Sequence, residues 1–571
     1  MEQYWFSFAF VMGATTLLVT FSFLFRPKSL KQKLVSVAGH PLSRPPPPGS
    51  LGWPFIGETL DYISKLRNGN IREFVVERVK KYGSSNVFTT SVIGHPMTIM
   101  CGVEGNKLLF SNENKLVKIW FPYTIEKIFA KSHGKSIGSD FDQVRRILQK
   151  YLKPSTLQKY VGTIDNVMQL ELKGQWKPNK PAIVRDLSGR YTLGVACRLF
   201  LGSKDPSMIE QLEEPEKDIA AGIISIPIDF PGTTFNRALK AAKKLTALLV
   251  EVIRQRKVDL ATGSACTTQD ILSEIVNLND ENGELLKEVD IATHLIGLIH
   301  GGYDPVRCGL TFIVKYLAEF PQVYDQVFKE QMEVKKSKKE NETLNWEDVK
   351  KMKYSWNVVQ EVFRLTPPVV GTFREVIRDF TFGGYTIPKG DKIHWTTYYT
   401  HRDSKYFPNH EKFDPSRFDG KGPPPFSYVP FGGGPRMCPG SDYVKVVTLV
   451  FMHNIVTSAI GIPIVLFALI LYCKIPTYMA PLKIKQFVLD LSYDWHTPVQ
   501  CCDSENIVVI GFAVHNGSLG SLVGTKDLIG HSIGKLVMKS CLTETNDNRV
   551  TSAESSVPML EKNCQKGPTV L

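Results

Sequence analysis

Phe431 to Gly440 reads FGGGPRMCPG, and the fold of the chain turns on that stretch. Cys438 sits in a run too rich in Gly and Pro to be helix or strand, and an apolar helical pattern follows at once. Residues without a Cβ let main chain come close to a flat ligand. Arg436, two residues before the cysteine, brings a fixed positive charge that can hold the thiol as thiolate and pair with a ligand carboxylate. A buried structural cysteine in a glycine loop is the plain alternative. Phe431, Gly434, Arg436, Cys438 and Gly440 falling together as F-x-x-G-x-R-x-C-x-G favour a haem whose iron takes the cysteine sulfur.

That pattern resembles the haem-binding loop of the cytochrome P450 monooxygenases. The resemblance implies a mainly α fold with small β-sheets (α+β), heme b with Cys438 as axial thiolate, and Phe431, Gly434, Arg436 and Gly440 around it. It runs nearly without a break from Trp53 to Ser458, and SLGWPFIGETL from Ser50 and FSNENKLV from Phe110 are similar to the members that oxidise plant triterpenes.

Other motifs take their roles from the same resemblance. A helical pattern from about Ser136 to Lys153 carries Arg145 and Arg146, and Arg145 is the closer match to the cation that meets a haem propionate. Arg374, in VVGTFRE, matches the residue reaching a propionate from a strand. Glu361 and Arg364 stand three apart in QEVFRLTPP, on one helix face. With Arg417 of FDPSRF they match a buried charge triad that stiffens the haem-side core.

Thr293 to Glu319, THLIGLIHGGYDPVRCGLTFIVKYLAE, is a long apolar helical pattern, expected to cross the distal face of the haem. The family carries there an acid followed by an alcohol. The acid is present as Asp304, the expected catalytic residue, but Pro305 follows it, with neither hydroxyl nor N–H. Arg307 adds a charge that is costly in an apolar interior unless paired. Thr311, nearly two turns beyond, is too far along to replace the alcohol.

Composition bounds the rest. The chain has 571 residues, 43% hydrophobic, ample for a large core, and a net charge of +13. The basic residues show no clustering of the nucleic-acid-binding kind, so a basic surface or an anionic membrane face accounts for them and no nucleic-acid partner is expected. The ten cysteines form no C-x-x-C pair, so neither a zinc site nor a disulfide framework is indicated.

Four segments are expected. Residues 1–26 form a transmembrane anchor: the apolar run Tyr4 to Phe25 is long enough to span, and the basic residues after it place the body in the cytosol; that the membrane is the endoplasmic reticulum's is what the resemblance implies. Residues 27–52 are a basic, Pro-rich linker and 53–458 the haem-binding domain. In that domain the Pro-rich break IPIDFPG from Ile226, before a basic helix, matches the cover of a substrate channel. Residues 459–571 are an atypical tail in which no terminal sheet is recognisable; 459–473 is a second apolar run, at the short end for a span. The tail reads either as lumenal, with Asn516 in a glycosylation acceptor, or as the product of a fusion or mis-splicing.

The resemblance thus implies a membrane-bound monooxygenase inserting oxygen from O2 into an apolar substrate, a pentacyclic triterpene such as β-amyrin. Electrons are expected from a separate NADPH reductase, since no dinucleotide-binding glycine fingerprint is present. The competing expectation, from Pro305 and the tail, is a haem-binding chain impaired in catalysis.

Overall fold

The computed structural model describes residues 44–458, apart from 54–55, 68–69, 84–85, 93–94, 130–138, 176–181, 268–269 and 281, and beyond them four strands at 468–472, 485–489, 510–515 and 518–523. The expected anchor and most of the linker lie outside the described residues. Among the described residues no helix is long and apolar enough to cross a membrane.

The chain divides into two compact units, Met1–Ser504 and Glu505–Leu571. The first is mainly helical. The helices that position the site are α1 (Ser139–Tyr151), α2 (Val184–Phe200), α3 (Ser207–Ile223), α4 (Thr234–Ala261), α5 (Glu288–Glu319), α6 (Lys353–Leu365) and α7 (Ser441–Thr457). Helix α5 is apolar nearly all round because it runs through the core: Ile291, Leu295, Ile299, Leu310, Phe312 and Ile313 are fully buried. It begins five residues before the apolar pattern, with Glu288 and Asp290 in the first turn, where carboxylates complement the helix dipole.

A five-stranded sheet flanks the helices, in the order β1 (Val87–Val92), β2 (His95–Met100), β8 (Lys392–Thr396), β5 (Gly371–Val376), β3 (Val117–Ile119). All neighbours are antiparallel except the parallel β2–β8 pair. The register sets Arg374 between Ile119 of β3 and Ile393 of β8. Thr372 and Arg374, two apart, share a face of β5. A small hairpin joins β6 (Phe380–Phe382) to β7 (Tyr385–Ile387).

The region after Ser458 corrects the sequence reading. Residues 468–472 of the apolar run form a strand, β9, not part of a spanning helix; 459–467 and 473 lie outside the described residues. Strand β9 pairs antiparallel with β10 (Lys485–Leu489), which pairs with β4 (Ala182–Ile183) just ahead of α2. A sheet therefore follows Ser458 after all, and the first unit runs past the end of α7. Ala468–Tyr472 is a short run of aliphatic and aromatic residues, a composition that suits a buried strand as well as a helix, so periodicity could not separate the two. The second unit contains β11 (Ile510–His515) and β12 (Ser518–Val523), paired antiparallel.

Candidate functional site: a thiol loop, two charge clusters and an apolar cavity

The loop around Cys438 is pinned from within. Cys438 N–H donates to the Phe431 carbonyl at 2.9 Å and Met437 N–H to the Gly434 carbonyl at 3.1 Å. The Phe431 ring meets Phe363 of α6 edge-on, with centroids 6.1 Å apart. Gly434 has φ +66°, and a Cβ there would stand 2.1 Å from the Phe110 carbonyl oxygen, so only glycine fits. Helix α7 starts immediately after Gly440, so Cys438 lies at a helix N-terminus, where a thiolate is favoured.

Cys438 is an exposed cysteine. Desolvation raises its thiol pKa, opposed by the Gly440 backbone N–H and then by the Arg145 charge. Arg145, on α1, donates to the Met437 carbonyl inside the loop, whereas Arg146 points to solvent. Arg374 is buried and donates to Glu113 Oε2 at 2.6 Å and to Thr372 Oγ1 at 3.1 Å. Arg436 Nε stands 3.9 Å from the other oxygen of the same carboxylate. Desolvation lowers the Arg374 pKa, and Glu113 only partly compensates. The structure thus brings Arg145, Arg374 and Arg436 to one loop, with Glu113 shared between the last two.

Glu361, Arg364 and Arg417 also come together. Arg364 holds Glu361 bidentately, at 2.6 and 2.8 Å, and donates to the carbonyls of His401, His410 and Lys412. Arg417 Nε lies 3.4 Å from Glu361 Oε1. Both members of the Glu361–Arg364 pair are wholly buried, which is tolerable because nearly every polar atom of the pair is engaged.

On α5 the helix continues through Pro305. Gly297, Gly301 and Pro305, four apart, form its open stripe: a Cβ at either glycine would meet nothing within 4 Å. Gly302 packs against Phe200 and toward Tyr443, in the first turn of α7, which sets this part of α5 beside the thiol loop's helix. Asp304 is fully buried in an ion pair with Arg307. Arg307 also donates to the Tyr303 hydroxyl at 3.0 Å and packs against Gly189 of α2. Burial works against the Arg307 charge, but Asp304, Tyr303 and Cys308 together outweigh it and the pKa is raised. Thr311 gives its hydroxyl to the Arg307 carbonyl and stands 3.4 Å from the Ser188 hydroxyl of α2.

Between β5, α5 and the end of α3 lies a cavity of about 200 Å³, lined by Phe121, Ile125, Phe129, Ile223, Val370 and Phe373 among other mostly apolar residues. Polar groups break its wall at few places. Thr372 joins it to the charge cluster, accepting from Trp395 Nε1 at 2.8 Å as well as from Arg374. His394 and Tyr62 bond each other at 3.1 Å, and burial lowers the His394 pKa to about 4, so the ring is neutral. His300 of α5 also lines the cavity and bonds Glu216 of α3 through Nδ1, at 3.0 Å.

Glu113, Glu216, His300, Thr372 and His394 were not among the site residues read from the sequence. Glu113 meets Arg374 across 261 residues, a partnership no local spacing encodes. His300 alone left a signal, as a titratable residue in the apolar repeat of α5.

The residues present fit a haem. An exposed cysteine at a helix N-terminus offers a thiolate ligand, and two guanidinium groups around one carboxylate leave positive charge for acidic substituents. The open stripe of α5 gives a flat group room.

The family profile described as Cytochrome P450 matches residues 46–458. A β-amyrin 28-monooxygenase of Kalopanax septemlobus is 49% identical over 438 residues, 77% of this chain and 89% of the relative. A β-amyrin 16-β-monooxygenase of Platycodon grandiflorus is 48% identical over 415 residues, 72% of this chain and 86% of the relative. The solved structure of retinoic acid-bound cyanobacterial CYP120A1 aligns with TM-score 0.64 and 29% identity, over 74% of this chain and 93% of that one. The chain belongs to the cytochrome P450 family of haem-thiolate monooxygenases.

Proposed function

We propose that this chain oxidises a pentacyclic triterpene of the β-amyrin type, with Cys438 as thiolate ligand of the haem and Arg145, Arg374 and Arg436 holding its acidic groups. The apolar cavity beside Thr372 and Arg374 carries the reading: it joins a water-poor pocket to the cationic cluster through one side chain. The high identity to β-amyrin monooxygenases supports the substrate class. The haem, when bound, supplies oxygen activation and C–H oxidation. The chain's own residues supply the rest. The helix N-terminus and Arg145 favour the thiolate, Arg374 and Arg436 orient the haem edge, and the cavity's apolar side chains exclude water.

Electrons come from a separate NADPH cytochrome reductase, and the body lies at the endoplasmic reticulum membrane, held by residues 1–26. Ile226, Ile228 and Phe230, all exposed in the segment between α3 and α4, support a membrane-facing side. Product analysis after reconstitution with the reductase, NADPH and β-amyrin tests the reading; a haem-loaded protein yielding no oxidised triterpene sinks it.

A second reading, a haem protein that consumes NADPH with little product, is favoured by one observation. Pro305 offers no hydroxyl on the open stripe while Asp304 is occupied by Arg307. In that case NADPH oxidation greatly exceeds product formed.

A further inference from the structure

Two of the polar places in the cavity wall, Thr372 and Tyr62, differ in the hydrogen-bond role they leave open. Thr372 Oγ1 already accepts from Trp395 Nε1 at 2.8 Å and from Arg374 Nη1 at 3.1 Å, so its lone pairs are taken and it can only donate. An alcohol oxygen and a ketone oxygen meet it equally well. Tyr62, on the helix Thr59–Arg67, is the opposite case. His394 Nδ1 lies 3.2 Å from the Thr372 carbonyl, which can only accept, so Nδ1 carries the hydrogen. The buried ring is neutral, which leaves Nε2 with a lone pair, and the Tyr62 hydroxyl donates to it at 3.1 Å. The phenol proton is thereby committed, and burial keeps it on the oxygen. His394 is the partner of this hydroxyl among the described residues, so what the Tyr62 oxygen still offers is a lone pair. Both side chains line the cavity and both are held: the Tyr62 ring sits edge-on to Phe74 at 5.3 Å, and His394 stacks on Phe373 at 4.7 Å. A ketone oxygen set against Tyr62 meets lone pairs and is desolvated without a donor, whereas an alcohol donates to it.

We infer that Tyr62 accepts a hydrogen bond from a hydroxyl group of the substrate, so that the cavity selects a free triterpene alcohol over the corresponding ketone and seats the hydroxyl-bearing end of the skeleton beside Tyr62. This rests on the reading that a pentacyclic triterpene occupies the cavity. Tyr62 touches the substrate and decides specificity. His394 is a positioning residue: by taking the phenol proton it fixes the Tyr62 oxygen as an acceptor. Neither side chain takes part in bond cleavage.

The test uses the full-length, haem-loaded protein and two ligands of one skeleton, β-amyrin and its corresponding ketone, with affinities measured by calorimetry in detergent. The wild type should bind the alcohol about tenfold more tightly, the effect of one hydrogen bond made against one oxygen left without a donor. Tyr62→Phe should weaken alcohol binding by about tenfold and leave ketone affinity within about twofold, bringing the ratio near one. His394→Leu frees the phenol proton to donate, so ketone binding should tighten and the preference disappear by the other route; a merely structural role for His394 would weaken both ligands alike. Equal affinities in the wild type, or an unchanged ratio in soluble, haem-loaded Tyr62→Phe, overturn the inference and leave the substrate reading standing. If neither ligand binds the wild type, the substrate reading itself falls and the inference with it. Tyr62→Phe nearly preserves shape and covers the case in which His394→Leu does not fold.

Discussion

The two sides of the haem site treat charge in opposite ways. On the loop side Arg374 and Arg436 share one carboxylate, Glu113, at 2.6 and 3.9 Å, so positive charge remains for an acidic ligand. On α5, Asp304 and Arg307 cancel one for one in a buried pair packed against Gly189. One side is arranged to receive a charge and the other to conceal two. A residue can thus keep its place in a motif and acquire a different partner, and the partner decides what chemistry it can do.

The largest effect expected from either side is the removal of the thiol. Cys438→Ser keeps the size of the side chain and its place before α7 but offers no thiolate. Oxidised product should fall to background, and the thiolate-shifted band in the carbon monoxide difference spectrum of the reduced protein should vanish. A retained band would break the assignment of the loop side as the ligand side.

Next comes the support behind the loop. Arg364→Leu leaves Glu361 wholly buried with the Arg417 charge at 3.4 Å and the Asp414 N–H at 2.9 Å as its remaining partners among the described residues. Breaking a buried pair in this way costs roughly 3–5 kcal/mol, because the surviving charge keeps its desolvation penalty. Urea denaturation of the haem-loaded protein should show a lower midpoint by that amount, or the variant should accumulate poorly. A shift under about 1 kcal/mol, as for a surface pair, would show that this cluster is not a structural anchor.

The concealed pair on α5 offers a sharper contrast. Arg307→Met strands Asp304 in the core and should destabilise by roughly 3 kcal/mol, the low end for a broken buried pair. Adding Asp304→Asn removes the stranded charge and should recover more than half of the loss, measured by the same denaturation in a double-mutant cycle. Additive losses would mean that the two charges are not energetically coupled, and the difference between the two sides would disappear.

Much of the loop side was legible in the sequence, because its pattern is local. Phe431, Gly434, Arg436, Cys438 and Gly440 lie within ten residues, and Gly434 is forced by its left-handed φ and by the Phe110 carbonyl. Glu361 and Arg364 face each other through helix geometry alone. Glu113 and Glu216 were illegible for the converse reason: each meets its partner through tertiary packing, from 261 and 84 residues away. The sheet after Ser458 was missed because a short apolar run has no period long enough to tell strand from span. On α5 the sequence exposed the anomaly, Pro305 beside Asp304, but not its accommodation; that Arg307 turns back onto Asp304 depends on the room left by Gly189 of α2.

The smallest effect tests the open stripe. Pro305 removes two things at once: a hydroxyl that could carry a proton, and the N–H that would close the helix onto the Gly301 carbonyl. Pro305→Thr restores both, whereas Pro305→Ala restores only the N–H, so the pair separates proton handling from helix geometry. Product formed per NADPH consumed should rise roughly threefold in the Thr variant, well below the ~10²–10⁴ a positioned proton donor can supply, because Asp304 stays bound to Arg307. The Ala variant should match the wild type. If Ala gives the same rise as Thr, the backbone is responsible, and the contrast between the two sides becomes one of helix geometry rather than of missing chemistry. Combining Pro305→Thr with Arg307→Met and gaining more than either alone would show that concealment of Asp304 is what limits turnover on this side.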